Sequence, residues 1–297
     1  MTSPPRVCFV TCRDWPDISE SDALARDALS DKGVCVEAVP WNAPGARVES
    51  FAAAIFRSNW DYHHSPAAFV DWLAACERAG VRFWNEPALI RWNLTKRYLF
   101  DLAAAGVPVI PSVMLDGLDA PSVAEVMAER GWRDVVVKPV LSASAHGTIL
   151  IRADQGEAVA RAIEQGAIRR PLLIQPFVET IREQGEWSLI FIDGRFTHAV
   201  RKRPAAGDFR VQKQYGGVAV PAAAPDALVA AGHRALAALP RQTGRPTGPP
   251  LYARIDGVET AQGFLVMELE LHEPALFFPM APAAAIAFAE AVIRRLG

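Results

Sequence analysis

The chain contains no C-x-x-C pair, no G-x-G-x-x-G run and no G-x-x-x-x-G-K-[ST] run. Those absences remove the dithiol and zinc-ribbon signatures and the two common glycine fingerprints for nucleotides. Its four cysteines, Cys8, Cys12, Cys35 and Cys76, fall in the first third with no histidine cluster beside them, as expected of reduced thiols in a cytoplasmic protein. Charge of one sign is also missing: 31 Lys and Arg against 33 Asp and Glu leave a net charge of −2 and no basic stripe. A nucleic-acid partner selected by bulk electrostatics is therefore not expected. Long apolar runs are scarce. The first residues, "MTSPPRVCFVTC", are too short in apolar length for a signal peptide. The late run "PALFFPMAPAAAIAFAEAVIRRL" is interrupted by Pro274, Pro279, Pro282 and Glu290. It reads as a loop and a terminal core helix, with no membrane partner.

What is present is a 297-residue chain, 51% hydrophobic, long enough for two domains or one large one. Residues 1–88 alternate strand and helix signals, with Gly33 and Gly80 at helix ends, the pattern of βαβ units on a parallel sheet. Ligands of such sheets gather at the carboxyl ends of the strands. Two polar stretches fall there, "TCRDWPD" and "RSNWDYHH", and Arg13, Arg57, Asn59, Trp60 and Asp61 are the substrate candidates. The arginines suit a carboxylate, and Trp60 with Tyr62 could flank a small amino acid. Ordinary loops are the alternative.

Residues 89–180 read as a second unit: the helix "NLTKRYLFDLAAAG", the strand "VPVIPSVML", the helix "PSVAEVMAERG" and the strand "DVVVKPV". The small-residue loop "LSASAHGT", the strand "ILIR", the helix "GEAVARAIEQG" and the strand "PLLIQPFV" follow. Residues 181–297 are mainly β, with a turn at Asp193–Gly194 and an Ala/Pro connection over 219–227. The fold class is α/β, passing to α+β in the C-terminal part.

In that last part "YARIDGVETAQGFLVMELELHEP" sets Glu268 and Glu270 in a strand. Simple alternation puts Met267, Leu269 and Leu271 on one face and the two acids on the other. A hairpin centred near Gln262 brings Asp256 opposite Glu268 and Arg254 opposite Glu270. Three carboxylates at one place fit either a solvated face balanced by Arg254 or a hard-cation site shared with phosphates. Two stretches could supply phosphate contacts. Lys138 precedes a loop of Ser, Ala and Gly whose N–H groups can approach an anion, and "RKRPAAGDFRVQKQYGG" clusters Arg201, Lys202, Arg203, Arg210 and Lys213 before a glycine pair. An ordinary turn and a solvated basic face are the alternatives.

The ordered set of Lys96 in "NLTKRYL", Lys138 in "VVVKP", "LIQPFVE", "GEWSLIFIDGRF", "RKRPAAGDFRVQ…GG" and "RIDG…VMELE" resembles the ATP-grasp superfamily across residues 85–297. Within it, the chain is most similar to the glutathione-synthetase-like branch and to the cyclo-ligases that form cycloserine from O-ureidoserine. The resemblance implies an N-terminal βαβ domain followed by a two-part ATP-grasp domain. Its implied activity is ADP-forming ligation: a carboxylate becomes an acyl-phosphate, then joins an amine-type nitrogen.

It further implies that Lys96 and Lys138 contact ATP phosphates, under a lid containing Ser142, Ser144, Gly147 and Thr148. Gln175, Phe177 and Val178 would form the adenine hinge, and Glu183 or Glu186 would reach the ribose. Arg203, Arg210 and Arg254 would serve the transferring phosphoryl group. Asp256, Glu268 and Glu270 would hold magnesium, with manganese as an acceptable substitute. Glu270 stands where many relatives carry Asn, and the lid is poorer in glycine than usual. The implied partners are a small carboxylate and an amine-type substrate, and a homo-oligomer is compatible with this reading. A non-catalytic ATP-binding module and a small-molecule phosphotransferase are the competing functions.

Overall fold

The computed structural model describes residues 4–117, 122–153, 171–240 and 248–297. The helix read over "GEAVARAIEQG" lies outside them. The N-terminal part runs β1 (Arg6–Thr11), α1 (Glu20–Ser30), β2 (Cys35–Pro40), β3 (Ala53–Phe56), α2 (Pro66–Arg78) and β4 (Phe83–Trp84), and its strands form a parallel sheet ordered β2-β1-β3-β4. The Ser19 side chain accepts the Asp22 N–H to open α1. Gly33 and Gly80, at φ 80° and 77°, turn the chain after α1 and α2, a conformation that carries a steric penalty for other residues.

The predicted helix over "NLTKRYLFDLAAAG" is broken. α3 (Pro87–Asn93) and α4 (Tyr98–Ala104) flank a turn in which the Lys96 N–H donates to Val140 O at 2.8 Å. The central sheet is antiparallel, ordered β5-β8-β6-β7, from β5 (Val113–Leu115), β6 (Val135–Pro139), β7 (Ile149–Ile151) and β8 (Leu172–Pro176). The strand expected over "VPVIPSVML" shrinks to its last three residues. α5 (Val123–Arg130) is opened by a Ser122–Glu125 capping box and packs Val126 against Val135 and Val137.

After the short α6 (Thr180–Glu183) comes an antiparallel sheet ordered β11-β10-β9-β12-β13. Its strands are β9 (Glu186–Ile192), β10 (Arg195–Arg203), β11 (Val218–Ala222), β12 (Tyr252–Thr260) and β13 (Gly263–Glu270), with α7 (Asp226–Ala237) between β11 and β12. The stretch expected to be a connection over 219–227 is therefore mostly β11 and the start of α7. The terminal α8 (Pro282–Leu296) folds back on the N-terminal sheet, with Phe288 edge-on to Phe9 at 6.2 Å. Asn85 joins the N- and C-terminal parts: its Oδ1 accepts the Leu251 N–H at 2.7 Å, and its Nδ2 donates to Tyr252 O at 2.9 Å and Leu271 O at 2.8 Å.

The β12–β13 register is the predicted one, Arg254 opposite Glu270 and Asp256 opposite Glu268, but a bulge follows: Gly257 pairs with Val266, leaving Met267 as the extra residue. A bulge reverses the alternation beyond it. Phe264, Val266, Leu269 and Leu271 all enter one core, whereas Met267 packs with Ile110, Phe177 and Val178 on the opposite side. The expectation that Met267 shares a face with Leu269 is thus corrected, since Met267 and Glu268 point the same way. Gly257 makes room for this turn of the strand, because a Cβ there would lie 2.4 Å from Phe264 Cζ and 2.5 Å from Leu265 O. Gly257→Ala is expected to destabilise the protein by about 1–3 kcal/mol, read as a lower denaturation midpoint. An unchanged midpoint would show that the strand relaxes around the methyl.

Candidate active site

A cleft of about 1580 Å³ is lined by residues of the central and C-terminal sheets and by α1 and loops of the N-terminal part. Its floor is the polar face of the C-terminal sheet. Buried Asp256 accepts from Ser188 Oγ, from Lys202 Nζ at 3.0 Å and from Arg254 Nε at 3.0 Å. Lys202 also pairs with Glu186, Arg254 with Glu270, and Lys96 with Glu268 at 3.3 Å. Carboxylate oxygens of Asp256, Glu268 and Glu270 lie within 4.8 Å of one another. Like charges so close persist only when cations accompany them.

Burial pushes the Asp256 carboxyl up, but the Arg254 and Lys202 charges outweigh it and hold the group well below the usual range. Glu268 is likewise pulled down by Lys96 and Lys138 against its burial. Glu270 goes the other way: burial, with the neighbouring acids, raises it to about 8 despite Arg254. A quarter of the Glu270 side chain stays open to the cleft, so a cation arriving there would restore its charge. The three acids offer the hard oxygen donors that magnesium takes, and they fit it.

Opposite the acids, β6 alternates Val135 and Val137 into its own core, leaving Val136 and Lys138 on the cleft side. Burial, aided by the Lys96 charge, lowers the Lys138 pKa to about 8. Among the described residues no carboxylate lies within ion-pair distance of it. A buried ammonium aimed into a cleft without a counter-ion is a receptor for an anion. Lys96 Nζ donates to Ser142 O at 3.1 Å, fixing the start of the loop between β6 and β7. Ser142, Ser144 and Thr148 line the cleft, and Gln214 Nε2 reaches across to Ser144 O at 3.0 Å. Gly147 does not line it. Its absent Cβ, which would sit 2.9 Å from Pro139 Cγ, serves the packing of the loop instead.

At the hinge, Gln175, Phe177 and Val178 line the cleft with Ile110 and Met267, forming an apolar slot. The Phe177 N–H is already given to Asp134 O at 2.8 Å, so it is not available to a ligand. Glu183 is exposed on α6 and lies away from the cleft, while Glu186 faces it as the partner of Lys202.

Arg210 lies at the cleft, donating to Asp208 through Nη2 at 2.8 Å and stacking 3.7 Å from the Tyr215 ring centre. Arg203 does not join it. Pairing along β10 turns Lys202 inward and leaves Arg203 exposed on the other face. The expected roles of Arg203 and Glu183 are therefore corrected. Arg254 is inside, yet its guanidinium is committed to Asp256, Glu270 and Ala275 O, so it braces the acids.

Of the N-terminal candidates only Trp60 lines the cleft. Arg13 is exposed, and Arg57 is buried against Asp22 at 2.8 Å and Pro274 O at 2.9 Å. Asp61 accepts from Trp41 and Asn42, and Asn59 contacts His272 at 2.6 Å behind the wall. Arg57, Asn59 and Asp61 are thus engaged in structural contacts, and exposed Arg13 lies outside the cleft lining. Sequence reading missed Lys202 as the inward cation of its cluster, and it missed His272 and Glu273, which follow β13 into the cleft. Continuing the alternation two residues past Glu270 would have flagged His272, but not Glu273, which follows it.

Comparison with known proteins gives two family matches: the N-terminal domain of D-cycloserine synthetase DcsG over residues 7–85, and the ATP-grasp domain of prokaryotic glutathione synthetase over residues 109–232. The cycloserine biosynthesis protein DcsG of Streptomyces lavendulae is 34% identical over 283 residues, 91% of this chain and 92% of that protein. A glutathione synthetase of Prochlorococcus marinus is 29% identical over 205 residues, 66% of this chain and 63% of that protein. Among solved structures, D-cycloserine synthetase DcsG superposes with a TM-score of 0.86 at 28% identity, covering 98% of this chain and 100% of that one. The D-alanine–D-alanine ligase of Bacillus anthracis shares the fold at a TM-score of 0.70 and 15% identity, covering 98% of this chain and 97% of that one.

Lys138 yields a stability prediction. Its folded pKa, lowered to about 8 from 10.5, means that the native state binds fewer protons than the unfolded chain between those values. The stability contribution of this group therefore rises as pH climbs from 8 toward 10.5. Lys138→Met is expected to raise the melting temperature of the ligand-free protein at neutral pH, by about 2–4 °C for each kcal/mol of relieved burial. It should also flatten that pH dependence. A lower melting temperature at pH 7 would mean that the ammonium has a partner.

Proposed function

Because the chain belongs to the DcsG family of ATP-grasp enzymes, and is thereby an ATP-dependent, ADP-forming ligase joining a carboxylate to an amine-type nitrogen, we propose that it closes a ring within one small amino-acid-derived substrate. The observation carrying this reading is the match of residues 7–85 to the N-terminal domain of a cycloserine synthetase. That part contributes Trp15, Trp60 and Tyr62 to the substrate end of the cleft.

In this reading the apolar slot of Ile110, Phe177 and Met267 takes the adenine, and Lys96 and Lys138 take phosphate oxygens. Asp256, Glu268 and Glu270 would hold magnesium, which when bound neutralises phosphate charge. A carboxylate oxygen of the substrate attacks the γ-phosphorus, and ADP leaves with the electron pair of the broken P–O bond. The acyl-phosphate is then attacked at its carbonyl carbon by the nitrogen. Inorganic phosphate departs with the C–O electron pair, and the nitrogen loses a proton. Arg210 presents its fork to the developing charge, braced by Asp208 and Tyr215.

An assay of ADP and phosphate release over a panel of amino acids and amines, including O-ureidoserine, tests the reading. Mass spectrometry of the product distinguishes ring closure from joining two molecules. Pyrophosphate release would contradict it, and a phosphorylated product that never condenses would favour a phosphotransferase. Arg210→Lys is expected to lower kcat by about 10²–10³ while the ADP affinity stays near wild type, because lysine lacks the planar fork. Weaker ADP binding with kcat preserved would make Arg210 a nucleotide contact.

A further inference from the structure

Among the described residues seven acids line the cleft, and five have a Lys or Arg partner: Asp22 with Arg57, Glu186 and Asp256 with Lys202, Glu268 with Lys96, and Glu270 with Arg254. Of the other two, Glu20 is exposed at the first turn of α1. Glu273 is different, because its side chain is only 13% exposed and, among the described residues, no Lys or Arg pairs with it.

Its neighbours are polar and aromatic. The Tyr62 hydroxyl bonds its carboxylate, and burial together with the Glu273 charge holds that phenol protonated well above its usual range. His272 Nδ1 lies 2.8 Å from Glu273 Oε2, outside hydrogen-bond alignment. The opposite ring nitrogen, Nε2, faces the Asn59 amide nitrogen at 2.6 Å. Among the described residues, no Lys or Arg in the wall balances Glu273. Trp60 donates to the Glu273 carbonyl at 3.1 Å and meets Trp15 edge-on at 5.5 Å, so aromatic faces stand beside the acid.

A largely buried carboxylate without a cation, flanked by aromatic rings in an open cleft, is a site for a positive ligand group. The cleft is thus polarised, with unbalanced positive charge at Lys138 and unbalanced negative charge at Glu273. Both residues line the same cleft, and the Glu273 charge is felt at Glu270.

We propose that Glu273, with Tyr62 and Trp60, binds the ammonium group of the substrate and makes the enzyme selective for amino acids over the same acids lacking the amino group. This rests on the ligase reading above. It gives the substrate end a recognition element in place of Arg13 and Arg57, which the fold withdraws from the cleft.

The test compares O-ureidoserine with its deamino counterpart, 3-(ureidooxy)propanoate, on wild type, Glu273→Gln and Glu273→Asp. For the amine, KM should rise about 10- to 100-fold in Glu273→Gln, the loss of one charge-assisted hydrogen bond. Glu273→Asp should recover part of that. The deamino probe should bind poorly to wild type and be indifferent to the substitution, a discrimination that a purely structural role would not produce. Equal losses for both probes would overturn the proposal, as would an altered magnesium requirement for ADP binding, which would make Glu273 a metal ligand. If neither probe is turned over, the ring-closure reading fails for this substrate. Calorimetric binding of the two probes to the ADP-loaded protein still reads the subsite, and equal affinities would refute it.

Discussion

The buried contact of Asp256 with Lys202 and Arg254 is the interaction on which the site depends. Removing one member of such a cluster strands the others without solvent, which typically costs about 3–5 kcal/mol. The cluster spans β10, β9 and β12, and through Glu270 it reaches β13. The strands of the C-terminal sheet that carry charge to the cleft are tied together by it. Arg254 keeps Glu270 beside the other acids, and Lys96, anchored by its own N–H on Val140, ties the start of the loop between β6 and β7 to Glu268.

The same balance is incomplete in two places. Among the described residues, Lys138 is a cation with no acid at ion-pair distance, and Glu273 an acid with no Lys or Arg partner. Unbalanced buried charge destabilises the ligand-free fold, and it is retained where a ligand supplies the missing sign. In the proposed function a nucleotide phosphate supplies the sign missing at the first. The second lies at the end of the cleft built by the N-terminal part.

Much of this was legible in the sequence where local pattern decides. The two-residue turn at Ala261 and Gln262 fixed the pairing of Arg254 and Asp256 with Glu270 and Glu268, and the ordered motifs pointed to the superfamily. Met267 was misplaced because a bulge depends on what Gly257 permits across the hairpin, which strict alternation does not record. Arg203 was preferred to Lys202 because a run of basic residues does not declare which member faces inward. Arg57 and Asp61 were taken for substrate contacts because they follow a parallel strand. Their partners, Asp22, Trp41 and Asn42, come from distant loops and helices, and only the fold brings them together.

The central claim is that the acids of β12 and β13 face the nucleotide and tolerate it only through a divalent cation. Calorimetric titration of ADP into the protein, with magnesium and then with the metal chelated, tests this most directly. The account predicts tight binding with magnesium, a large loss without it, and a much smaller difference in Glu268→Gln. Equally tight ADP binding in chelator would contradict it.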